Sequence, residues 1–228
     1  MQTYDKKFRH EYKYSINRAD YLSIRTQLRP IMQQDPHISA EGTYFIKSLY
    51  FDDPYDTALR EKIDGVNRRE KFRIRMYNDN DSFILLERKS KINGLCLKCS
   101  APLTKPECES IISGEYSFLS ETGDPLKQEL YTKMKHDLLR PKVLVAYTRE
   151  PYIYTPGNVR ITFDSQLRTG LHSTEFFNPA KLFPAGAADK IIMEVKYDEF
   201  LPELIACIIG AHRRTGAFSK YAECRMYD

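Results

Sequence analysis

The sequence predicts one α+β domain in which antiparallel strands predominate and helices are few. Three observations lead to this fold class. Helix start and stop signals occur at only five places, most other segments alternate apolar and polar residues, and Asn-rich and Asn-Gly turns suggest hairpins. With 228 residues, of which 42% are hydrophobic, the chain can build one sizeable core. We therefore expect a single domain over residues 1–228.

The predicted helices begin at a capping residue or at a proline in the first turn, where its missing amide is tolerated. In chain order they run from Asn17 to Leu28, from Asp53-Pro54 to Ile63, from Thr104 to Gly114, from Asp124-Pro125 to about Leu139, and from Leu201-Pro202 to Gly210. Most of the remaining sequence is predicted to form strands.

Several predicted strands place charged residues on one face and apolar residues on the other. Glu-x-Lys occurs at residues 11–13, 87–89 and 194–196, and Arg73 and Arg75 alternate with apolar neighbours. For any single strand, a solvent-exposed face is the ordinary explanation. The recurrence of Arg, Lys and Glu at strand centres indicates instead that these faces come together.

If the strands close into a barrel with helices outside, the apolar faces pack outward and the charged faces line a lumen. Nine cations and four carboxylates are candidates for this lining: Lys13, Arg73, Arg75, Lys89, Lys98, Arg149, Arg160, Lys196 and Lys220, with Glu11, Glu87, Asp164 and Glu194. The five uncompensated positive charges suit a ligand with several phosphates. The carboxylates would hold Mg²⁺ or Mn²⁺ that bridges phosphate oxygens.

Eight short motifs follow one another along nearly the whole chain: Arg9–Tyr14, Ser48–Asp52, Lys71–Arg75, Leu86–Lys89, Tyr147–Arg149, Val159–Asp164, Met193–Lys196 and Phe218–Tyr221. In this order they resemble the VTC-domain branch of the triphosphate tunnel metalloenzymes, a CYTH-like superfamily. No single motif is specific, whereas the ordered set is. The resemblance implies an eight-stranded antiparallel β-barrel tunnel with helices packed on the outside.

The resemblance also implies a function, which is that of a polyphosphate polymerase. Such enzymes transfer the γ-phosphate of ATP to a growing polyphosphate chain threaded through the tunnel. The implied catalytic residues are Arg73, Arg75, Lys89, Arg149 and Arg160, and the implied further phosphate-binding residues are Lys13, Lys98, Lys196, Ser219 and Lys220. Glu194 is implied to hold Mn²⁺ or Mg²⁺, and Glu11 and Glu87 are further candidate metal ligands. Arg9 replaces the first Glu of the superfamily's Glu-x-Glu-x-Lys signature, which removes one metal-binding carboxylate.

Two other functions remain open. One is a triphosphatase that hydrolyses inorganic triphosphate or nucleotides, with Lys13 or Glu11 as the base that activates water. The other is a non-catalytic module that binds polyphosphate or nucleotide. Nucleic acid is not an expected partner, because the net charge of +4 is small.

The cellular setting is also predicted. No apolar run approaches the roughly 18 residues of a membrane span, and the N-terminal residues lack the apolar stretch of a secretion signal. We therefore expect a cytoplasmic protein with Cys96 and Cys99 reduced and partly buried. The family's polymerases work beside other domains and a membrane segment, so the resemblance implies an unidentified membrane-protein partner.

Overall fold

The computed structural model describes residues 9–36, 38–178, 182–187, 189–210 and 213–227 and shows an antiparallel sheet flanked by helices. The strands are β1 (His10–Ile16), β2 (Gln33–Gln34), β3 (Tyr44–Asp52), β4 (Arg69–Tyr77), β5 (Ile84–Ile92), β6 (Leu95–Leu103), β7 (Arg140–Tyr154), β8 (Val159–Thr169), β9 (Phe183–Pro184) and β10 (Ile191–Tyr197). The helices are α1 (Arg18–Leu28), α2 (Thr57–Ile63), α3 (Lys105–Ser113), α4 (Pro125–His136), α5 (Glu203–Ile209) and α6 (Lys220–Arg225), with 3-10 turns at Ser117–Glu121 and Pro156–Asn158.

Eight strands form a continuous antiparallel path in the order β1-β10-β8-β7-β3-β4-β5-β6, and β2 and β9 add short pairings to β7 and β8. Strands β1 and β6 end this path. They nevertheless meet, because the backbones of Arg9 and Cys96 exchange two hydrogen bonds of 3.3 Å. The sheet is therefore curled until its two edges touch, which confirms the predicted eight-stranded antiparallel architecture.

Apolar side chains on the outer face of the sheet pack under the helices, as the alternation of residues predicts. Ile74 and Leu86 belong to a buried cluster with residues of α3 and α4, such as Ile111 and Leu130. A second cluster joins β8 and β10 to helices α1 and α5. The charged residues at the alternate positions of the strands are thereby directed to the inner face.

Helix α6 packs on the inner face, and sequence reasoning did not predict it. Its Tyr221 stacks on Tyr50 of β3 at a centroid distance of 5.1 Å, and both belong to an apolar cluster that includes Tyr147 of β7. Ser219 caps the helix by accepting a hydrogen bond from the Ala222 amide at 3.3 Å. One part of the inner space is therefore filled by a helix rather than by charged side chains.

Three predicted helices appear close to their predicted positions, and two differ at one end. Helix α2 begins at Thr57 rather than at Asp53-Pro54, because the Asp53 carboxylate accepts hydrogen bonds from the amides of Tyr55 and Thr57 and forms a turn instead. Helix α4 ends at His136, and Leu138 has a positive φ of 55°. Residues 1–8 and 228 lie outside the described residues, so the domain limits at residues 1 and 228 stay a prediction.

Cys96 and Cys99 are free thiols in β6, the first half-buried and the second buried.

None of the helices in the described part of the chain has both the length and the apolar composition that a membrane-spanning helix requires.

A basic cavity as the candidate active site

The inner face of the sheet surrounds a cavity of about 210 Å³. Eleven basic and three acidic residues line it: Lys13, Lys62, Arg69, Lys71, Arg73, Arg75, Lys89, Lys91, Arg149, Lys196 and Lys220, with Glu11, Glu70 and Glu194. Tyr50, Cys96, Tyr147 and the segment of residues 216–221 complete the wall. The lining is therefore strongly positive, although the net charge of the whole chain is only +4.

Ten of the thirteen site residues predicted from sequence line this cavity. The three that do not are Lys98, Arg160 and Glu87. The Lys98 side chain is half exposed and reaches Glu87 from the edge strand β6 at 3.0 Å. Arg160 is held by Asp35 at 2.7 Å and by the Tyr44 hydroxyl at 2.9 Å, both of which accept hydrogen bonds from it.

Glu87 lies fully buried behind Arg73 and Arg75. Arg73 is opposite Glu87 in the β4–β5 register, and its Nε donates a hydrogen bond to the carboxylate at 2.7 Å. Arg75 lies 3.6 Å from the same oxygen and donates to Ser48 Oγ at 3.1 Å. Burial disfavours the charged form of Glu87, yet Arg73, Arg75 and Lys98 together hold its pKa well below the usual value. Glu87 thus fixes two guanidinium groups at the cavity wall.

A second cluster surrounds Glu11 of β1 and Glu194 of β10. Lys89 donates hydrogen bonds to both oxygens of Glu11 at 2.7 and 2.8 Å. Lys13 lies 3.5 Å from Glu11 and 3.4 Å from Glu194, and Lys196 lies 3.8 and 3.6 Å from the same two carboxylates. Burial, opposed by both carboxylates, lowers the pKa of Lys196 to about 8. Two carboxylates therefore share two lysines inside the cavity.

A third cluster connects helix α6 to the sheet. Arg149 binds Asp164 through two hydrogen bonds of 2.6 and 2.7 Å. Lys220, the first residue of α6, lies 2.5 Å from Asp164 and 2.8 Å from Glu194. Asp164 lies on β8 and Glu194 lies on the neighbouring strand β10, so Lys220 attaches the start of α6 to both strands.

Four cations of the lining were not among the predicted site residues: Lys62, Arg69, Lys71 and Lys91. Lys71 could have been found, since it shares the odd-numbered face of β4 with Arg73 and Arg75. Its Nζ is buried without a hydrogen-bond partner among the described residues and lies 4.4 Å from the centre of the Tyr221 ring. Lys62 lies on helix α2, and no strand pattern could have indicated it.

A divalent cation in the cavity would need oxygen ligands, and the carboxylates there are the candidates. Among the described residues, no three acidic, Cys or His side chains come together as a ready-made metal site. Mg²⁺ is commonly bound by one or two carboxylates together with the phosphates of its substrate. Glu11 and Glu194, which both line the cavity, fit this donor set. Glu87 fits it poorly, because it is fully buried and does not line the cavity.

Solved structures with a similar fold cover nearly the whole chain. A putative adenylyl cyclase from Hippeastrum, reported to have a dominant triphosphatase activity, aligns with a TM-score of 0.58 and 13% identity over 96% of this chain and 95% of that chain. A putative adenylate cyclase from Bacillus halodurans aligns with a TM-score of 0.49 and 14% identity over 91% and 88%. At such identities the likeness concerns the fold alone.

None of the curated proteins compared with this chain is similar to it in sequence. The model of the VTC domain family, however, matches residues 8–227. These residues include every strand and helix of the structure and all the clusters of the cavity. The chain therefore belongs to the VTC domain family.

Proposed function

We propose that this protein is a metal-dependent phosphotransferase that transfers the γ-phosphate of ATP to inorganic polyphosphate held in the cavity. The observation that supports this proposal is the charge of the lining, in which eleven basic residues face three acidic ones. Buried cations in such excess are stable when they bind a polyanion. A linear phosphate chain has the required charge density, and a strand-lined cavity suits its extended shape.

Arg73 and Arg75 are proposed to stabilise the charge on the phosphoryl group that is transferred. Phosphoryl transfer depends on positioning and on charge neutralisation, and guanidinium groups supply both. Glu87, Ser48 and the Tyr50 hydroxyl hold the two arginines by hydrogen bonds or ion pairs before any substrate binds. Such preorganisation avoids a reorganisation cost during the reaction.

Glu194 and Glu11 are proposed to hold Mn²⁺ or Mg²⁺ together with substrate phosphate oxygens. A cation held there would supply neutralisation of the phosphate charge. Lys13 and Lys196 contact both carboxylates, which supports a proposed role for them in binding phosphate beside the metal. Lys89, Arg149, Lys220 and Ser219 are proposed as further phosphate contacts along the same wall. Lys98 and Arg160, which lie outside the cavity lining, are proposed to act at its rim.

A triphosphatase is the second candidate, and the similar fold of the Hippeastrum protein favours it. Hydrolysis requires a base that activates water, and Glu11 and Lys13 are the residues considered for this role. The pKa of Glu11 lies below its usual range: burial would raise it, but Lys89, Lys196 and Lys13 outweigh burial. A carboxylate with so low a pKa is a weak base. This argues against Glu11 as the base, whereas transfer to an ionised phosphate acceptor needs no base.

The test is to incubate the purified protein with ATP and Mn²⁺ or Mg²⁺ and to separate the products by gel electrophoresis. Chains that lengthen with time support the polymerase, whereas orthophosphate without chains identifies a triphosphatase. Binding of ATP or polyphosphate without turnover would identify a non-catalytic module and contradict the proposal.

Arg75→Ala is the variant that tests the proposed site. We expect turnover to fall by roughly 10³-fold, because an arginine that stabilises the transferred group contributes about that much. Arg18→Ala is the matched control, since Arg18 is exposed on helix α1 and does not line the cavity. Equal activity of Arg75→Ala and the wild-type protein, with both folded by circular dichroism, would remove the proposed role.

A further inference from the structure

The cations of the cavity fall into two groups that differ in their partners. Arg73, Arg75, Lys89 and the other cations of the three clusters each contact Glu11, Glu87, Asp164 or Glu194. Lys62, Arg69, Lys71 and Lys91 line the same cavity, yet none of these four forms an ion pair with a carboxylate of the described residues. Glu70, the acidic residue beside them, is paired with Lys133 at 3.0 Å.

Two of these four cations, Arg69 and Lys71, continue along β4 the row that Arg73 and Arg75 begin. Strand β4 carries Arg69, Lys71, Arg73 and Arg75 at alternate positions, and residues two apart on a strand are about 6.6 Å apart. The row from Arg75 to Arg69 therefore spans about 20 Å. Lys91 is opposite Arg69 in the β4–β5 register, and Lys62 of α2 lines the same cavity, close enough for the charges of Arg69 and Lys91 to act on it. A ligand that contacts the whole row must be long, linear and anionic.

The side chains of this group lack the partners that would satisfy them. Lys71 Nζ has no hydrogen-bond partner among the described residues, and Lys62 and Arg69 reach only the backbone carbonyl groups of Ala217 and Val66. Burial, with Arg69, Lys13 and Lys91 nearby, also lowers the pKa of Lys62. Cations that repel one another in a partly buried wall are stabilised when an anion joins them.

We propose that Lys62, Arg69, Lys71 and Lys91 form a second anion subsite that binds the distal phosphates of a linear polyphosphate and gives preference for chains longer than triphosphate. This inference rests on the proposed function, because the three clusters around Glu87, around Glu11 and Glu194, and around Asp164 are taken to bind the first phosphates. The four residues belong to helix α2 and to strands β4 and β5, so the subsite combines a helix with the barrel wall.

The test compares the affinity for inorganic triphosphate with that for long-chain polyphosphate by titration calorimetry, in the full chain and without ATP. We expect the wild-type protein to bind the long chain at least about tenfold more tightly, and the double variant Lys62→Ala/Arg69→Ala to lose about tenfold for the long chain only. The salt dependence of long-chain binding should also weaken, by about 0.7 in logarithmic slope for each cation removed.

Arg60→Ala is the matched control, because Arg60 is exposed on the same helix and does not line the cavity. An equal loss in Arg60→Ala would show a general charge effect and overturn the subsite. Unchanged long-chain affinity in the double variant would also overturn the subsite. A further contrary result would be single-stranded RNA that binds the wild-type protein as tightly as polyphosphate does and no longer binds the double variant. Absence of all polyphosphate and triphosphate binding by the wild-type protein would instead contradict the proposed function.

Discussion

Glu87 shows how one residue can organise several others. Its carboxylate is fully buried and contacts Arg73, Arg75 and Lys98, which come from both strands beside β5. A carboxylate in a metal site must face the ligand, whereas this one lies buried behind its arginines and does not line the cavity. Its position therefore indicates a counter-ion that orients arginines, and the sequence pattern alone could not separate these two roles.

Lys71 carries a buried ammonium group that has no hydrogen-bond partner among the described residues. Burial, together with Lys62, Lys13 and Arg69, lowers its pKa to about 7, and Asp52 opposes this shift only in part. In the unfolded chain the pKa returns to about 10.4. Between pH 7 and 10 the unfolded state therefore binds a proton that the folded state lacks, and the folded protein gains stability as the pH rises.

Lys71→Met should accordingly be more stable than the wild-type protein at pH 6. We expect the difference in the free energy of unfolding to shrink above pH 7, by up to about 1.4 kcal/mol per pH unit. Urea denaturation at pH 6 and pH 9 measures it. A difference that stays constant between these two pH values would show that Lys71 does not titrate near neutral pH in the folded protein.

At the scale of elements, helix α6 depends on a contact with the end of β3. The Tyr221 hydroxyl donates a hydrogen bond to the buried carboxylate of Asp52, which also accepts hydrogen bonds from the amides of Ala58 and Leu59 in α2. Arg225 lies 2.9 Å from Asp56, just before α2. Asp52 therefore connects the first turn of α2 with α6.

Tyr221→Phe removes this contact with little change in volume. We expect the local stability of α6 to fall by about 2 kcal/mol, because a hydrogen bond to a buried carboxylate is lost. Amide hydrogen exchange in residues 220–225 should then become roughly 30-fold faster. The exposed Tyr12→Phe variant is the control, and equal exchange rates in both variants would contradict the role of this bond.

The strands and helices also show which structural features could be predicted from the sequence. The faces of the strands followed from alternation, which is local, so Arg73, Arg75 and Glu194 were placed on the inner face correctly. Alternation does not tell how far along the barrel a residue lies, and Arg160 is held by Asp35 instead of lining the cavity. Lys62 reaches the cavity through the packing of α2, which depends on tertiary contacts. Asp53-Pro54 was predicted to begin a helix but forms a turn, because Asp followed by Pro is common in both structures.

For the whole molecule, the distribution of charge matters more than its sum. The chain has a net charge of only +4, while the cavity lining alone has eleven basic residues and three acidic ones. A ligand that neutralises this lining should stabilise the folded state, since the unfolded chain has no such concentration of charge.

Long-chain polyphosphate should therefore raise the midpoint of thermal unfolding. At about 100 times its Kd it should contribute about 2.7 kcal/mol, which corresponds to roughly 5–10 °C for a chain of this size. Differential scanning fluorimetry in the presence of a chelator measures the shift without metal. Sodium sulfate at equal ionic strength is the control, and an equal shift with sulfate would show that general anion binding accounts for the effect.

The contact between Arg9 and Cys96 has a consequence for association between molecules. The edge strand of an open sheet offers unpaired amides and carbonyl groups to other chains, and such edges promote aggregation. Here the two terminal strands of the path meet at a backbone bridge, and Lys89 reaches Glu11 across the same seam. The curvature that encloses the cavity thus also turns these edges toward each other, where they are shielded from pairing with a neighbouring molecule.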